Sequence, residues 1–158
     1  MAAYNGMDWI EEQVASISSQ KNTSIEIFIS VDLSNDKTYE WCQDLARNNS
    51  YIKVLPYGER FGGAAKNFYR LIRDVDFSYF DYIALSDQDD IWDSDKLHHA
   101  ISVIEKDNLD GYSGNVTAFW SDGQERLVKK SFPQKRFDYF FEAAGPGCTY
   151  VFKQQAIQ

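Results

Sequence analysis

Three carboxylates fall within four residues of this chain, at Asp87, Asp89 and Asp90. They directly follow an apolar run from Tyr82 to Leu85. Carboxylates this close repel one another unless a cation lies between them, and the end of a buried strand is a poor place to leave them unpaired. Oxygen ligands favour Mg²⁺ or Mn²⁺ over zinc, and these ions usually bridge to substrate phosphates. The spacing therefore predicts a divalent metal site for a phosphorylated ligand, and the alternative is a solvated acidic turn capping the helix near Lys96.

The composition limits the classes of function that such a site could serve. With 158 residues, 44% of them hydrophobic, the chain is expected to form one globular domain. A net charge of −8 argues against sequence-independent nucleic-acid binding, which needs a basic surface. The two cysteines, Cys42 and Cys148, lack metal-ligand spacing, and the sequence has neither a signal peptide nor a membrane-spanning apolar run. These features predict a cytoplasmic protein with reduced thiols.

Helical and strand patterns alternate along the chain. The predicted helices span residues 9–17, 37–47, 64–74 and 95–106, and the predicted strands span residues 24–31, 51–55, 82–85, 116–120 and 149–152. Apolar residues recur every three to four positions in the helices, and β-branched residues mark the strands. The alternation predicts an α/β fold with a mostly parallel sheet covered by helices. Residues 111–136 are the least regular and are predicted to form a mobile flap.

Two acidic residues mark the ends of separate predicted strands. Asp32 ends the strand at residues 24–31, and Asp87 follows the strand at residues 82–85. In open α/β sheets, ligands bind in the crevice beyond the carboxyl ends of the strands. We therefore expect these two residues to converge on one nucleotide site.

Several segments occur in the order in which the inverting family 2 glycosyltransferases carry them. They are Ala3 to Gly6, Val31 to Asp36, Phe61 to Phe68, Asp87 to Trp92, Lys96 with Leu97, and Gly145 to Thr149. The chain resembles this family over essentially its whole length, and is most similar to the bacterial rhamnosyltransferase-like branch. The most specific part of the resemblance is Asp87 to Trp92, hereafter the acidic block, which matches the DXD motif, together with Lys96 and Leu97. The resemblance implies a nucleotide-diphosphosugar transferase fold of the GT-A, Rossmann-like type, an α/β/α sandwich with a mostly parallel central sheet.

The resemblance also implies which residues bind a nucleotide-sugar donor. Tyr4 and Asp32 match positions that line the nucleotide base, where Asp32 would accept a hydrogen bond from a pyrimidine imide. This favours a UDP-sugar or dTDP-sugar donor. Asp87 matches the residue that faces the ribose. Lys66 would approach the pyrophosphate, although a solvated position on its helix fits the pattern equally well.

Metal binding is implied for the same acidic block. Asp89 matches the residue that contacts a Mg²⁺ or Mn²⁺ ion bridging the diphosphate, with Asp87 and Asp90 contributing to the cation site. Trp92 is predicted to pack in the core rather than to touch the sugar.

The chain departs from the family pattern in three places. Leu33 stands where a glycine is common, nearly all of the first strand is expected to be missing before Tyr4, and the C-terminus at Gln158 precedes the stretch that supplies a catalytic base in relatives. Residues 1–158 are therefore expected to form a single catalytic domain that lacks most of the first strand and the C-terminal segment for the acceptor and the base. The catalytic base stays unassigned, with Glu142 as the nearest acidic candidate.

The sequence thus predicts a metal-dependent, inverting hexosyl or rhamnosyl transferase. It would act on a glycan or lipid-linked acceptor in bacterial surface-polysaccharide synthesis. Contact with the inner face of the membrane and a homo-oligomeric state are left open. The alternative is a truncated, inactive fragment that binds the nucleotide sugar. A nucleotidyltransferase would need a glycine-rich phosphate loop, which residues Ala2 to Gly6 do not provide.

Overall fold

The computed structural model describes residues 1–130, 132–133, 135–140 and 145–157. The chain forms two compact units. Unit 1 contains Met1–Tyr79 and Ser86–His99, and unit 2 contains Phe80–Leu85 and Ala100–Gln158. Within the described part of the chain, every helix is too short or too polar to cross a membrane.

Unit 1 is built on a three-stranded parallel sheet. Its elements are β1 (Ala2–Ala3), α1 (Ile10–Ser18), β2 (Ile27–Val31), α2 (Thr38–Asn48), β3 (Ile52–Val54) and α3 (Ala64–Asp74). The strand order is β1-β2-β3, with Ala2 opposite Ser30 and Ile27 opposite Ile52. The parallel strands are joined through helices, as parallel pairing requires. Their carboxyl ends therefore open on one edge of the sheet.

Unit 2 contains antiparallel strands. They are β4 (Tyr82–Ala84), β5 (Gly111–Tyr112), β6 (Val116–Phe119), β7 (Glu125–Val128) and β8 (Val151–Lys153). Strand β8 pairs with both β4 and β5, and β6 forms a hairpin with β7. Helix α4 (Lys96–Lys106) begins in unit 1 and ends in unit 2, and single 3-10 turns lie at Asp138–Phe140, Gly147–Thr149 and Gln154–Ala156.

The centre of unit 1 is the strand β2. Ile29 and Val31 are 0% and 1% exposed, because parallel strands are covered on both faces. Helix α1 contributes Ile10, which is also 0% exposed. A second apolar cluster joins Leu71 of α3 to Leu55 after β3. These contacts fix the strand from which Asp32 follows.

The predicted α/β class with a parallel sheet is confirmed, and all four predicted helices are present. Helix α3 has the predicted bounds, because its apolar spacing is regular and Gly63 precedes it. The strand predicted at residues 116–120 is present as β6, and within the segment predicted as a flap it pairs with β7, which was not predicted. The sequence of β7, Glu-Arg-Leu-Val, has no alternating apolar pattern, and its pairing with β6 defines it instead.

Shortening Ile29 to Ala should lower the free energy of unfolding by about 2–5 kcal/mol, because it opens a cavity in the buried centre of the sheet. Urea denaturation followed by circular dichroism measures the change. Ile91→Ala is the matched control, since Ile91 is 47% exposed and should cost far less. Equal losses in the two variants would show that β2 is not the core of unit 1.

Candidate functional site

A cleft of about 380 Å³ lies in unit 1, where residues following β1 and β2 meet the acidic block. Its walls come from four stretches of chain: Ala2, Ala3 and Tyr4; Asp32; Arg60, Gly62, Gly63, Ala64 and Asn67; and Asp87, Gln88 and Asp89. The structure thus brings together four of the predicted donor and metal residues, Tyr4, Asp32, Asp87 and Asp89. Asp32 and Asp87, which the strand ends predict to converge on one nucleotide site, both line this cleft.

Asp32 is 4% exposed and holds the loop before α3. Its Oδ1 accepts hydrogen bonds from the backbone N–H groups of Leu33 at 2.7 Å and Phe61 at 2.8 Å, and its Oδ2 accepts one from Gly62 at 2.8 Å. Burial alone would raise the pKa of this carboxyl, but the three N–H donors and the charge of Arg60 outweigh it and lower the pKa. Asp32 is therefore an ionised anchor at the floor of the cleft.

Helix α3 is fixed at the same end of the sheet by buried polar side chains. Asn67 is 2% exposed, and its Nδ2 donates to the carbonyl of Ser30 at 2.9 Å. Ser30 Oγ in turn donates to Asn67 Oδ1 and accepts from Arg70 Nη1 at 3.0 Å. The guanidinium of Arg70 also lies 5.0 Å from the ring centre of Phe61. The helix and the preceding loop are therefore tied to β2, which places Asn67 in the wall of the cleft.

The loop after β1 is held by the start of α2. Three of its backbone N–H groups donate to side chains, Asn5 to Ser34 Oγ at 3.0 Å, Gly6 to Thr38 Oγ1 at 2.7 Å and Met7 to Asp36 Oδ2 at 3.2 Å. Asp36 Oδ1 also accepts from the N–H of Thr38 at 2.9 Å, so Asp36, which precedes the N-cap Lys37, holds the first residue of α2. Tyr4 is 50% exposed at the cleft. Its ring surface is thus available to a ligand.

The negative charges of the acidic block repel one another. Asp87 is half-buried, and a carboxylate oxygen of Asp87 lies within 4.8 Å of one of Asp90. Burial, with the charges of Asp90 and Asp89 adding to it, raises the pKa of Asp87 to about 6. A divalent cation would relieve this repulsion, and carboxylate oxygens suit Mg²⁺ or Mn²⁺. The donor set therefore fits such an ion.

Gln13 of α1 is 0% exposed and anchors the acidic block through hydrogen bonds. With its amide oriented to satisfy both ends, its oxygen accepts from Trp92 Nε1 at 3.2 Å and lies 2.8 Å from Ser86 Oγ. Its nitrogen donates to Ser16 Oγ at 2.9 Å and to the carbonyl of Asp90. One buried carboxamide therefore binds both ends of the block.

Two further polar residues of the same helix region continue this contact. Ser16 Oγ accepts from the N–H of Trp92 at 3.0 Å. Gln20 donates from Nε2 to the carbonyl of Asp93 at 2.7 Å and accepts from the N–H of Leu97 at 2.9 Å. From the sequence, no role was assigned to Gln13, Ser16 or Gln20. Their signal is the polar series at positions 13, 16 and 20 on a face that is otherwise apolar.

The remaining predicted residues have different surroundings. Lys66 is exposed on α3 and is not among the residues that line the cleft, whereas Arg60 is. Asp90 is also absent from the residues that line the cleft. Trp92 is 7% exposed, as its predicted packing requires, and the Nζ of Lys96 lies 3.2 Å from its ring centre. Glu142, the candidate base, lies outside the described residues.

Comparison with known proteins identifies relatives of this chain. The model of the family described as Glycosyl transferase family 2 matches residues 1–154. The chain is 53% identical over 158 residues to dTDP-rhamnosyl transferase RfbG of Shigella flexneri, covering 99% of this chain and 55% of that protein. It is 28% identical over 154 residues to the Escherichia coli UDP-Glc:alpha-D-GlcNAc-diphosphoundecaprenol beta-1,3-glucosyltransferase WfgD, covering 96% of this chain and 57% of that protein.

The fold has a solved counterpart. The structure of S. aureus TarS residues 1–349 in complex with UDP aligns with a TM-score of 0.71 at 18% identity, covering 97% of this chain and 45% of that one. At this identity the likeness concerns the fold, which is the predicted GT-A type. The chain spans a little over half the length of the two relatives above.

Replacing Gln13 with Leu should lower the free energy of unfolding by about 1–3 kcal/mol, because buried partners at Trp92 and Asp90 lose their hydrogen bonds. Urea denaturation measures the loss, and the indole fluorescence of Trp92 should change with it. Gln155→Leu, at an exposed position, is the control and should change stability by less than about 0.5 kcal/mol. An unchanged free energy of unfolding in Gln13→Leu would contradict the conclusion that Gln13 stabilises the acidic block.

The lowered pKa of Asp32 predicts a pH-dependent contribution to stability. Because the folded pKa lies below the ordinary value of 3.8, the stabilisation is complete above that value and is lost as pH falls through the folded pKa. Asp32→Asn should therefore lose about 1–3 kcal/mol at pH 7, and its difference from the native chain should shrink below about pH 4.

Urea denaturation across pH 3–7 tests this expectation. The exposed Asp107→Asn variant is the control and should follow the native chain throughout. A difference between Asp32→Asn and the native chain that stays constant down to pH 3 would show that the carboxylate is not the stabilising form.

Proposed function

Since this chain belongs to glycosyl transferase family 2, we propose that its cleft binds the nucleoside diphosphate of a sugar donor for glycosyl transfer. The observation that carries the proposal is the meeting of Tyr4 and Asp32 with Asp87 and Asp89 around one cleft. An aromatic ring and a carboxylate at one end suit a base. Acidic residues at the other end suit a cation bound to phosphates. The cleft thus offers groups for both parts of a nucleoside diphosphate, the base and the phosphates.

The base end favours a pyrimidine. A carboxylate offers about four lone-pair positions, and Asp32 uses three for backbone N–H groups, which leaves one for the imide N–H of uracil or thymine. The half-exposed ring of Tyr4 offers a surface for the base. The names of the relatives include both a dTDP and a UDP donor, and these bases share that imide. We therefore propose a dTDP-sugar or UDP-sugar donor.

The acidic end is proposed to bind Mg²⁺ or Mn²⁺. Asp89 is exposed at the cleft and would contact the ion, while the half-buried Asp87 would share the ion or face the ribose. Asp90 would add charge from behind, with its carbonyl held by Gln13. The bound ion would neutralise charge that develops on the departing diphosphate. Lys66, which is exposed on α3 outside the lining, remains a predicted contact of the diphosphate, and Arg60, which lines the cleft, is proposed as a second cation for it.

The acceptor side is proposed from the relatives. We propose inverting transfer of a hexosyl or rhamnosyl group to a glycan or a lipid-linked acceptor in bacterial surface-polysaccharide synthesis. A lipid-linked acceptor would bring the chain to the inner face of the membrane. Inversion needs a base for the acceptor hydroxyl, and Glu142 stays the predicted candidate for it. Residues 1–158 are proposed to act as one catalytic domain that contains both units.

Calorimetric titration of UDP and dTDP with and without Mn²⁺ tests the donor and cation sites. At pH 7.5, above the pKa of about 6 at Asp87, we expect binding that Mn²⁺ strengthens. Asp89→Asn should weaken Mn²⁺-dependent binding by at least about 10-fold, since it removes a charged oxygen ligand. Asp107→Asn, exposed and remote in sequence from the cleft residues, serves as the control.

Unchanged binding in Asp89→Asn would contradict the cation role, and no binding by the folded native chain would contradict the donor site. Release of the nucleotide from a dTDP-sugar in the presence of acceptor separates transfer from binding alone. Binding without any release would favour the alternative of a donor-binding chain that does not transfer.

A further inference from the structure

Gln88 makes an unusual pair of contacts for a residue between two aspartates. Its Oε1 accepts from the backbone N–H of Tyr4 at 2.6 Å, and its Nε2 donates to the carbonyl of Tyr4 at 2.7 Å. One carboxamide thus satisfies both backbone groups of a residue 84 positions away in the chain. Neither contact involves the side chain of Tyr4, whose ring stays available at the cleft.

The surroundings of Gln88 are shaped to keep this geometry. A Cβ added at Gly6 would lie 2.5 Å from Gln88 Oε1, so the carboxamide occupies the space that a larger residue would need. The N–H of Gly6 donates elsewhere, to Thr38 Oγ1 at 2.7 Å. Gly6 therefore leaves room for Gln88 without contributing a competing hydrogen bond.

We propose that Gln88 is a positioning residue that couples the cation site at Asp87 and Asp89 to the base-binding wall at Tyr4. The inference rests on the proposed function, because it assigns a link between the two ends of the donor cleft. A cation that fixes the carboxylates on either side of Gln88 also fixes the backbone from which its side chain extends. That side chain then fixes the backbone of Tyr4. An ion should therefore strengthen binding of the base even when no phosphate joins the two.

Uridine separates this coupling from direct contact, because it carries the base and ribose but no phosphate. We would titrate uridine into the native chain with and without saturating Mg²⁺, followed by NMR chemical shifts, and titrate UDP with Mg²⁺ in parallel. Coupling between sites typically changes affinity by about 5-fold or more. We expect Mg²⁺ to strengthen uridine binding by about 5-fold in the native chain.

Gln88→Met keeps the side-chain length and removes both hydrogen bonds. In this variant the effect of Mg²⁺ on uridine affinity should fall to about 1-fold, while the affinity for Mg²⁺ alone should change by less than about 2-fold. Gln124→Met, at an exposed turn, should keep the native coupling. A purely structural role would instead lower the separate affinities for uridine and Mg²⁺ and leave their coupling unchanged.

Gly6→Ala tests the contact between Gln88 and Tyr4 by placing a methyl group against the carboxamide of Gln88. The added methyl group should displace the carboxamide while preserving the bond from residue 6 to Thr38, so coupling should again be lost. This variant decides the matter if Gln88→Met does not fold. Coupling retained in either folded variant overturns the proposal.

The native chain distinguishes this inference from the proposed function. If UDP binds with Mg²⁺ but uridine affinity is independent of Mg²⁺, the coupling is wrong and the donor site stands. If the folded native chain binds neither UDP nor uridine, both are wrong.

Discussion

The acidic block keeps its place because buried amide side chains satisfy its backbone. Gln13 lies under the block, with hydrogen-bond partners at Trp92 and at the carbonyl of Asp90. Gln20 does the same for Asp93 and Leu97 at the start of α4. Backbone groups buried without partners would be costly, so these side chains make an irregular acidic loop compatible with a packed interior. At Asp90, Trp92 and Asp93 they anchor the loop that carries the proposed cation ligands.

Two carboxylates that line the cleft, Asp32 and Asp87, have pKa values shifted in opposite directions. Asp32 receives three backbone N–H donors, which keep its pKa low despite burial. Burial and two neighbouring carboxylates destabilise the charged form of Asp87 and raise its pKa to about 6. The protein holds the first carboxylate with three hydrogen bonds, whereas a positive charge would most stabilise the second. Under the proposed function, the base would meet a carboxylate already held by hydrogen bonds, and the cation would meet one whose charge its neighbours oppose.

The sequence was most informative where local pattern and chain order agree. Apolar spacing predicted α1 and α3, and the strand ends predicted that Asp32 and Asp87 would meet. The two-residue strands β1 and β5 carry too little periodicity to be predicted. The strand β8 was predicted, but its antiparallel pairing with β4 and β5 was not, because pairing joins segments far apart in the sequence. Gln13 and Gln88 were not assigned for a different reason. A glutamine in a helix or loop becomes informative only when its long-range partners are known.

The same limit applies to Lys66. Its charge and its place in the resemblance suggested the diphosphate, yet the turn of α3 exposes it away from the lining residues and leaves Arg60 and Asn67 there. On α3, helical phase decided between Lys66 and Asn67, and this phase depends on how α3 packs against β2 through Asn67 and Arg70.

A crystal structure of the chain with UDP and Mn²⁺, with the ion located by its anomalous scattering, tests the central claim most directly. The account predicts Mn²⁺ bound to a carboxylate oxygen of Asp89 and to the diphosphate, with the uracil beside Asp32 and Tyr4. A nucleotide bound outside the cleft of unit 1, or an ion that does not contact the acidic block, would contradict it.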